Sequence, residues 1–317
     1  MNASSQHDMQ TVSVLTRERA RMMTKAMRDA CLLEIRSLKP GNVGLHGDGH
    51  GMTAEHFVKS AHAMAEPISA PHKNLGERIL HAVQATREVV DCNTNLGIVL
   101  LAAPLIHATW RSLSQPVKVP LRATLHEVIQ QSDQQDAVQA YQAIRLANPG
   151  GLGTVTRHDV RDVPSITLLQ AMREASNRDA IAMEYCNDYA RVFAIGVTSF
   201  SSAASNGMSE EWAVTACYLE WLSHVPDSHV VRKHGIEVAR QLCEEALQYR
   251  YQFMHAPKPA GATAPLIEWD KQLKQRGINP GTSADLTVAS VLAYRLQHWL
   301  QREQVTRCED NVTLAQQ

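Results

Sequence analysis

Apolar residues recur every three to four positions along most of the chain, and no run alternates apolar and polar residues over the length of a strand. A spacing of three to four is the period of an α-helix that buries one face. The pattern predicts helices over residues 16–38, 53–67 and 75–89. The sequence therefore predicts an all-α fold.

One segment, residues 98–110, is apolar on nearly all sides, which is typical of a helix buried in the centre of a fold. Pro104 is expected to kink it, because proline removes a backbone hydrogen bond. Its apolar run, residues 98–108, is shorter than the roughly 20 residues that cross a bilayer. We expect a single compact multi-helix domain around this central helix.

The remaining periodic segments complete this prediction. They cover residues 121–131, 132–147, 164–175, 177–193, 209–223, 228–250, 266–275 and 283–301. Ser132 and Gln135 have the spacing of a capping box, and residues 254–265, rich in proline and alanine, are a candidate linker or lid. The expected organisation is a flexible arm at 1–15, an all-helical catalytic domain at 16–303 and a flexible tail at 304–317.

The composition favours a protein that acts on small molecules. The 317 residues include 31 basic and 32 acidic ones, a net charge of −1 without long runs of one sign, so a nucleic-acid partner is not expected. The six cysteines contain no C-x-x-C pair, which argues against a disulfide framework and a structural zinc site. The first ten residues lack the apolar core of a signal peptide. We expect a cytoplasmic protein with no membrane partner.

Polar chemistry gathers where the first predicted helix ends. Residues 39–43 read Lys-Pro-Gly-Asn-Val, and the proline and glycine force the chain out of the helix there. Glu34 precedes this turn, Lys39 and Asn42 lie in it, and four glycines follow by residue 51. Glycines let the backbone approach a ligand closely, although a capped helix followed by a solvated loop would have the same composition.

Two later junctions have a similar character. Asn93 and Asn95 precede the apolar central helix, where asparagine is a common N-cap but can also orient a ribose or phosphate. Residues 279–286 combine a forced turn with Ser283 and Asp285 at the start of the last helix. A carboxylate in a first helical turn is favourable whatever its function.

Three further patterns allow other functions. His158 and Asp159 suggest a helical metal-dependent phosphohydrolase, in which they would meet other histidines around a metal. Residues 46–50, His-x-Asp-x-His, contain metal-ligand types in a loop of unconstrained geometry. Residues 150–153, Gly-Gly-x-Gly, could hold a phosphate, but they lack the strand and Gly-Lys-Ser/Thr of a P-loop, and a bare turn explains them equally.

The polar junctions together resemble the triphosphoribosyl-dephospho-coenzyme A synthase family, over about residues 30–290. The resemblance rests on Glu34 with residues 39–43, on Phe57 with Ser60-Ala61, on residues 93–97 and on residues 280–286. It implies an all-helical enzyme that transfers a triphosphoribosyl group from ATP to a hydroxyl of dephospho-coenzyme A and releases adenine.

The chain departs from the family at two positions. Gly44 stands where the synthases usually have an acidic residue, and Asn95-Leu96 stands where they have His-Lys, so a phosphate-binding lysine is missing. These features look more like a branch found in methanogens and in bacteria that use tetrahydromethanopterin. The expected acceptor is dephospho-coenzyme A or a tetrahydromethanopterin precursor, and the sequence leaves the donor open between ATP and phosphoribosyl pyrophosphate. A non-catalytic nucleotide- or cofactor-binding protein derived from the synthases remains an alternative.

The resemblance and the residue types together suggest roles. Displacing adenine from ribose develops oxocarbenium character and needs a carboxylate and a general base, for which Glu34 and Asp285 are the catalytic candidates. The polyphosphate needs cations, for which we expect Mg²⁺ with unknown protein ligands, together with Lys39 and either Arg178 or Arg157. The predicted substrate-binding residues are Lys39, Asn42, Asn93, Asn95, Arg178 and Ser283. The expected partners are small-molecule nucleotide and cofactor-precursor substrates, and a homo-oligomer is left open.

Overall fold

The computed structural model describes residues 3–115, 117, 119–151 and 153–315, with side chains from residue 14 to residue 303. Within these residues the chain is helical and contains no strand, apart from two isolated bridges in the glycine-rich loop, Gly44 with Gly47 and Gly49 with Met52. The prediction of an all-α fold is confirmed.

Fourteen α-helices follow one another in the described residues. They are α1 Ala3–Arg36, α2 Ala54–Ser69, α3 Leu75–Val89, α4 Leu96–Ser114, α5 Leu121–Gln130, α6 Gln134–Ala147, α7 Leu168–Ala175, α8 Ala180–Cys186, α9 Thr198–Ser205, α10 Glu210–His224, α11 Ser228–His234, α12 Ile236–His255, α13 Thr263–Gln275 and α14 Gly281–Ala315. A π-helix, Val192–Val197, leads into α9, and a 3₁₀ helix, Pro259–Ala262, leads into α13.

Helix α4 is the central helix that the sequence predicts, and it packs against α3, α5, α8 and α14. Pro104 lies inside it and has no N–H to give to the carbonyl one turn earlier. The hydroxyl of Tyr185 donates to that carbonyl, Leu100 O, at 2.6 Å, and the hydroxyl of Tyr189 donates to Leu101 O at 3.0 Å. Two tyrosines from a neighbouring segment thus satisfy the backbone that the proline interrupts.

By length and composition α4 could cross a membrane, but 83% of its apolar window is buried inside the protein. Such burial is what the core helix of a globular fold has. Helices α1 and α14 contact each other, which brings the beginning and the end of the fold side by side. This pairing positions the site described below.

Several local predictions were wrong. The first helix begins at Ala3 rather than at residue 16, since no glycine or proline interrupts residues 3–15. The helix predicted over 177–193 is broken after α8, where Asp188 and Tyr189 adopt φ values of 54° and 57°. The cap of α6 is Asp133, paired with Asp136, because the Ser132 hydroxyl instead donates to Ile129 O at 2.8 Å. The division into arm, domain and tail stays a prediction.

Candidate active site

A cavity of about 850 Å³ opens between the first and last helices, the start of α4, helix α11 and the loop after α6. The described residues that line it include Glu34, Asn42, Phe57, Asn93, Thr94, Asn95, Gly97, Tyr141, Gly150, Gly151, Gly153, Arg157, His158, Asp159, Met172, Arg178, Asp179, Ile181, His229, Arg232, Asn279 and Asp285. Three of the polar junctions singled out in the sequence therefore meet at one place.

Glu34 is held by a buried ion pair. Helix α1 ends at Arg36, and the turn that follows carries Lys39, whose ammonium reaches back to Glu34. Lys39 Nζ lies 2.6 Å from Glu34 Oε1, and the two side chains are 1% and 4% exposed. Burial raises the pKa of Glu34, and the Lys39 ammonium opposes that increase.

The ammonium group of Lys39 makes all its hydrogen bonds within the protein. Besides Glu34, its ammonium donates to Asn42 Oδ1 at 2.7 Å and to Val43 O at 2.8 Å. An ammonium has three donors, and here each has an acceptor. Among the residues described, Lys39 is also outside the lining of the cavity. This geometry favours a role in positioning Glu34, while the predicted contact with substrate stays a prediction.

Asn42 continues this network towards the cavity. Its amide nitrogen donates to Asn279 Oδ1 at 2.9 Å, and both asparagines line the cavity. Asn279 precedes α14, so this bond joins the turn after α1 to the turn before the last helix. The sequence places Asn279 in the forced turn before the last helix, but it does not identify this residue as part of the site. An Asn-Pro-Gly turn alone does not indicate which way the amide points.

Asp285 is the fifth residue of α14, just beyond the first turn in which the sequence placed it, and it lines the same cavity. A Cβ added to Gly97 would lie 2.0 Å from Asp285 Oδ2, so the carboxylate occupies the space that a side chain on α4 would need. Burial raises the pKa of Asp285 well above its usual value, and the nearby Glu34 and Asp227 carboxylates raise it further. The two catalytic candidates therefore come from the first and last helices and interact electrostatically.

The two asparagines before α4 both line the cavity, and both also have structural partners. Asn93 Oδ1 accepts from the backbone N–H of Leu96 at 3.2 Å, and Asn95 Nδ2 donates to Thr86 Oγ1 at 2.9 Å. Each amide keeps further hydrogen-bonding capacity. Their predicted contact with substrate stays a prediction.

The other two predicted binding residues occupy different environments. Arg178 is exposed, lines the cavity and donates to Glu174 O at 3.2 Å. Ser283 is buried outside the lining as far as the described residues show, and its N–H and hydroxyl donate to Asp227 Oδ2 at 2.7 and 2.8 Å. The contacts of Ser283 favour a role in joining α14 to the start of α11.

The described residues of the loop after α6, 149–151 and 153–160, line one wall of the cavity, so its glycines are part of the candidate site rather than a bare turn. Asp159 fastens this loop: its carboxylate accepts from Val155 N at 2.9 Å and from Arg161 Nε at 2.8 Å. The Arg161 guanidinium holds the pKa of Asp159 well below its usual value. Asp159 is thus a structural residue of the loop.

The described part of the chain does not form the metal centre of a phosphohydrolase. Within it, no group of three histidine, cysteine, aspartate or glutamate side chains is placed to hold a metal. His46 and His50 instead contact the backbone oxygens of Arg36 and Gly41, at 3.0 and 2.9 Å. Nothing in this arrangement favours that alternative function.

A family model described as ATP:dephospho-CoA triphosphoribosyl transferase matches residues 20–304. The chain belongs to this family. A relative from Albidiferax ferrireducens, named probable 2-(5''-triphosphoribosyl)-3'-dephosphocoenzyme-A synthase, is 32% identical over 104 residues, which are 32% of this chain and 33% of that protein. The match thus spans about a third of the relative's length.

A crystal structure from Archaeoglobus fulgidus, titled as a candidate triphosphoribosyl-dephospho-coA synthase, has the same fold. It aligns with a TM-score of 0.57 and 24% identity, over 77% of this chain and 99% of that one. At this identity the likeness concerns the fold alone. The family predicted from the polar junctions is confirmed.

Gly44, the first departure from the pattern of the triphosphoribosyl transferase family, lies beside the ion pair of Glu34 and Lys39. A Cβ added to Gly44 would lie 2.7 Å from Ile35 O and 3.7 Å from Lys39 Nζ. An acidic side chain there would crowd the backbone and compete with Glu34 for the ammonium. Glycine at this position leaves Glu34 as the carboxylate that pairs with Lys39.

Proposed function

We propose that the chain transfers a triphosphoribosyl group from ATP to a hydroxyl acceptor and releases adenine. The acceptor oxygen attacks C1 of the ribose, the bond from C1 to the adenine nitrogen breaks, and adenine leaves with the electron pair. The proton of the attacking hydroxyl goes to a base, and the departing adenine takes up a proton, so the reaction needs no oxidant or reductant.

One observation carries this proposal: Glu34 and Asp285 face a single cavity from opposite ends of the chain. Their environments separate their tasks, as in other sites where one carboxyl stays charged and another exchanges a proton. Glu34, paired with Lys39, is the carboxylate that would stabilise positive charge on the ribose. Asp285, whose pKa burial raises well above its usual value, is the group that would exchange the proton.

The donor's polyphosphate requires positive charge. Arg157, Arg178 and Arg232 line the cavity and provide it from the protein. Mg²⁺ fits as well, since it usually keeps waters and takes one or two carboxylates besides the phosphate oxygens. The exposed carboxylate of Glu174, beside Arg178 on the cavity wall, suits it. Bound there, the ion would neutralise phosphate charge.

Two acceptors are compatible with the proposal, dephospho-coenzyme A and a precursor of tetrahydromethanopterin. Both offer a hydroxyl, and the cavity adds apolar contacts from Phe57, Met172 and Ile181 for the rest of such a molecule. The volume of about 850 Å³ is at the upper part of the usual range for small-molecule sites. ATP and both acceptors belong to cytoplasmic metabolism, which is where we place the protein.

The test is adenine release. The purified chain is incubated with ATP and Mg²⁺, with each acceptor and with none, and adenine is measured by chromatography beside the Glu34→Gln variant. Adenine that appears only with one acceptor, and is lost in the variant, supports transfer and identifies the acceptor. If neither acceptor yields adenine, the proposal fails in favour of a cofactor-binding protein.

A further inference from the structure

Helix α11 presents two side chains to the cavity, His229 with no role in the proposed chemistry and Arg232 with only its positive charge assigned. His229 and Arg232 both line it, and residues three apart share one face of a helix. Asp227 fixes the start of this helix, because its carboxylate accepts from the N–H groups of His229 and Val230 at 2.9 and 3.1 Å. The pair therefore has a defined position relative to the cavity.

Both side chains have buried nitrogens without a partner. His229 Nε2 and Arg232 Nε are sealed from solvent and make no hydrogen bond in the described structure. The guanidinium of Arg232 has a fixed orientation, since its NH1 donates to Asp179 Oδ2 at 2.9 Å. Buried polar atoms are normally satisfied, so two orphans on one cavity-facing helix point to a polar ligand.

The loop after α6, which contains Gly150, Gly151 and Gly153, faces α11. A Cβ added to Gly151, which has φ 78°, would approach the Arg232 Cβ to 3.6 Å, and Gly150 and Gly153 have no neighbour within 4 Å of theirs. All three line the cavity. Backbone without side chains lets an oxyanion come close to N–H groups. The loop and α11 thus form two walls of one recess.

Charged side chains of both signs line the cavity. Arg157, Arg178 and Arg232 attract a polyphosphate, and the carboxylate of Asp179 is already paired with Arg232 at 2.9 Å. Glu34 at the end of α1 and Asp285 near the start of α14 repel a polyphosphate. Arginine's planar fork is the donor best matched to phosphate oxygens.

We propose that His229 and Arg232 of α11, together with Gly150, Gly151 and Gly153 of the loop after α6, form a phosphoryl-binding subsite that takes the polyphosphate of the nucleotide donor. The assignment of the donor rests on the proposed function, but the subsite itself does not. The subsite provides the anion contact for which the sequence offers no lysine beside Asn95. It also directs the ribose towards Glu34 and Asp285.

The state of His229 agrees with this arrangement. Burial and the neighbouring Arg232 lower the pKa of His229 to about 4, so the imidazole is neutral at pH 7. A neutral imidazole donates one hydrogen bond while the charge comes from arginine. A bound polyphosphate would raise the pKa of His229, because an adjacent anion favours the imidazolium.

The test uses inorganic tripolyphosphate as the probe, with binding measured by isothermal titration calorimetry on the full chain. We expect Arg232→Gln and His229→Gln each to weaken binding by about tenfold or more, the loss typical of a charge-assisted hydrogen bond. Arg232→Lys keeps the charge near Asp179 but loses the fork, and should fall between wild type and Arg232→Gln. Circular dichroism checks that each variant is folded.

Lys233→Gln is the matched control, because it removes one charge from the same helix at an exposed residue outside the lining in the described structure. It should bind tripolyphosphate as the wild type does. The proposal is overturned if the wild type does not bind the probe, if Arg232→Gln binds it equally well, or if Lys233→Gln loses as much affinity as Arg232→Gln.

NMR of the His229 side chain gives a second readout that does not depend on heat of binding. Tripolyphosphate should shift the imidazole signals and move their titration to higher pH, and the absence of both changes would contradict the subsite. Adenine release separates the two proposals. Probe binding without adenine release leaves the subsite standing and refutes transfer, whereas adenine release with unchanged KM for ATP in Arg232→Gln refutes the subsite alone.

Discussion

The carboxylate of Asp285 fills the space beside Gly97 in which a side chain would lie, since a Cβ added to Gly97 would be only 2.0 Å from Asp285 Oδ2. The contact joins the first turn of the central helix α4 to the N-terminal part of the last helix α14. A glycine in a helix normally costs about 0.5–1 kcal/mol relative to alanine. Here it lets a carboxyl group reach the cavity wall.

Gly97→Ala is therefore expected to move Asp285 and to reduce kcat for adenine release by about a hundredfold, the effect of displacing a reacting group by about 1 Å. The free energy of unfolding should fall by about 1–3 kcal/mol, because the added methyl overpacks the contact and the better helix propensity of alanine offsets only part of that cost. Activity assays and thermal melts measure the two effects. Gly261→Ala is the control, since nothing lies within 4 Å of its added Cβ. Full activity in Gly97→Ala would contradict the role of Asp285.

Lys39 offers a test of the buried ion pair. Replacing Lys39 by methionine leaves Glu34 buried without a counter-charge, which typically destabilises a protein by about 3–5 kcal/mol. The double variant Lys39→Met with Glu34→Gln should regain much of this loss. Urea denaturation measures each free energy of unfolding. Lys59→Met removes the exposed partner of Glu55, 2.7 Å away, and should lower stability far less than Lys39→Met, because solvent screens an exposed pair.

A result in which Lys39→Met is no less stable than Lys59→Met would contradict the structural role. Substrate binding by Lys39, the prediction from sequence, has a different signature. In that case Lys39→Met would keep its stability and raise KM for ATP. The two measurements on one variant therefore separate positioning of Glu34 from direct contact with the nucleotide.

The helical architecture could be predicted because its signal is local. Each amphipathic helix shows its own period, and the apolar stretch around Pro104 identifies α4 without knowledge of its neighbours. The break after α8 could not be predicted from sequence, because Asp188 and Tyr189 adopt positive φ values, which are unfavourable unless tertiary contacts compensate for them. Tyr189, for example, donates to Leu101 O of the central helix.

The site was only partly accessible from sequence. Glu34 and Asp285 are 251 positions apart, and periodicity carries no information about such pairs; their selection came from the family resemblance. The proposed roles of His229 and Arg232 could not be predicted from sequence. Their position at the cavity depends on Asp227, which joins α11 to Ser283 of α14. An aspartate followed by a short helix with a histidine and an arginine on one face was the available signal.

Asp285 predicts a specific dependence of stability on pH. Its pKa is raised in the folded chain above the usual 3.8, mainly by burial and then by Glu34. The folded state therefore keeps a proton that the unfolded state releases, and stability falls as pH rises from about 4 through the folded pKa. Asp285→Asn removes this loss. Its melting temperature should exceed that of the wild type at pH 7, and the difference should vanish near pH 4; a constant difference at all pH values would contradict the raised pKa.

Gly41 and Gly207 have nearly the same positive φ, 84° and 83°, but different surroundings. A Cβ on Gly41 would lie 2.9 Å from Pro280 Cδ and 3.1 Å from Ile278 O, whereas a Cβ on Gly207 meets nothing within 4 Å. Gly207→Ala should lose only about 1 kcal/mol for its positive φ. Gly41→Ala should lose a further 1–3 kcal/mol or so, because the added methyl overpacks the contact between the turn after α1 and the turn before α14.

Urea denaturation of both variants isolates the packing contribution, since subtraction removes the shared cost of the backbone. Gly41→Ala should also lose adenine release, because the displaced turn carries Asn42 away from Asn279, to which it donates at 2.9 Å. Gly207→Ala should keep it. Equal losses of stability in the two variants would mean that the turn after α1 is not packed against the start of α14, and the convergence of Glu34 with Asp285 would lose its structural basis.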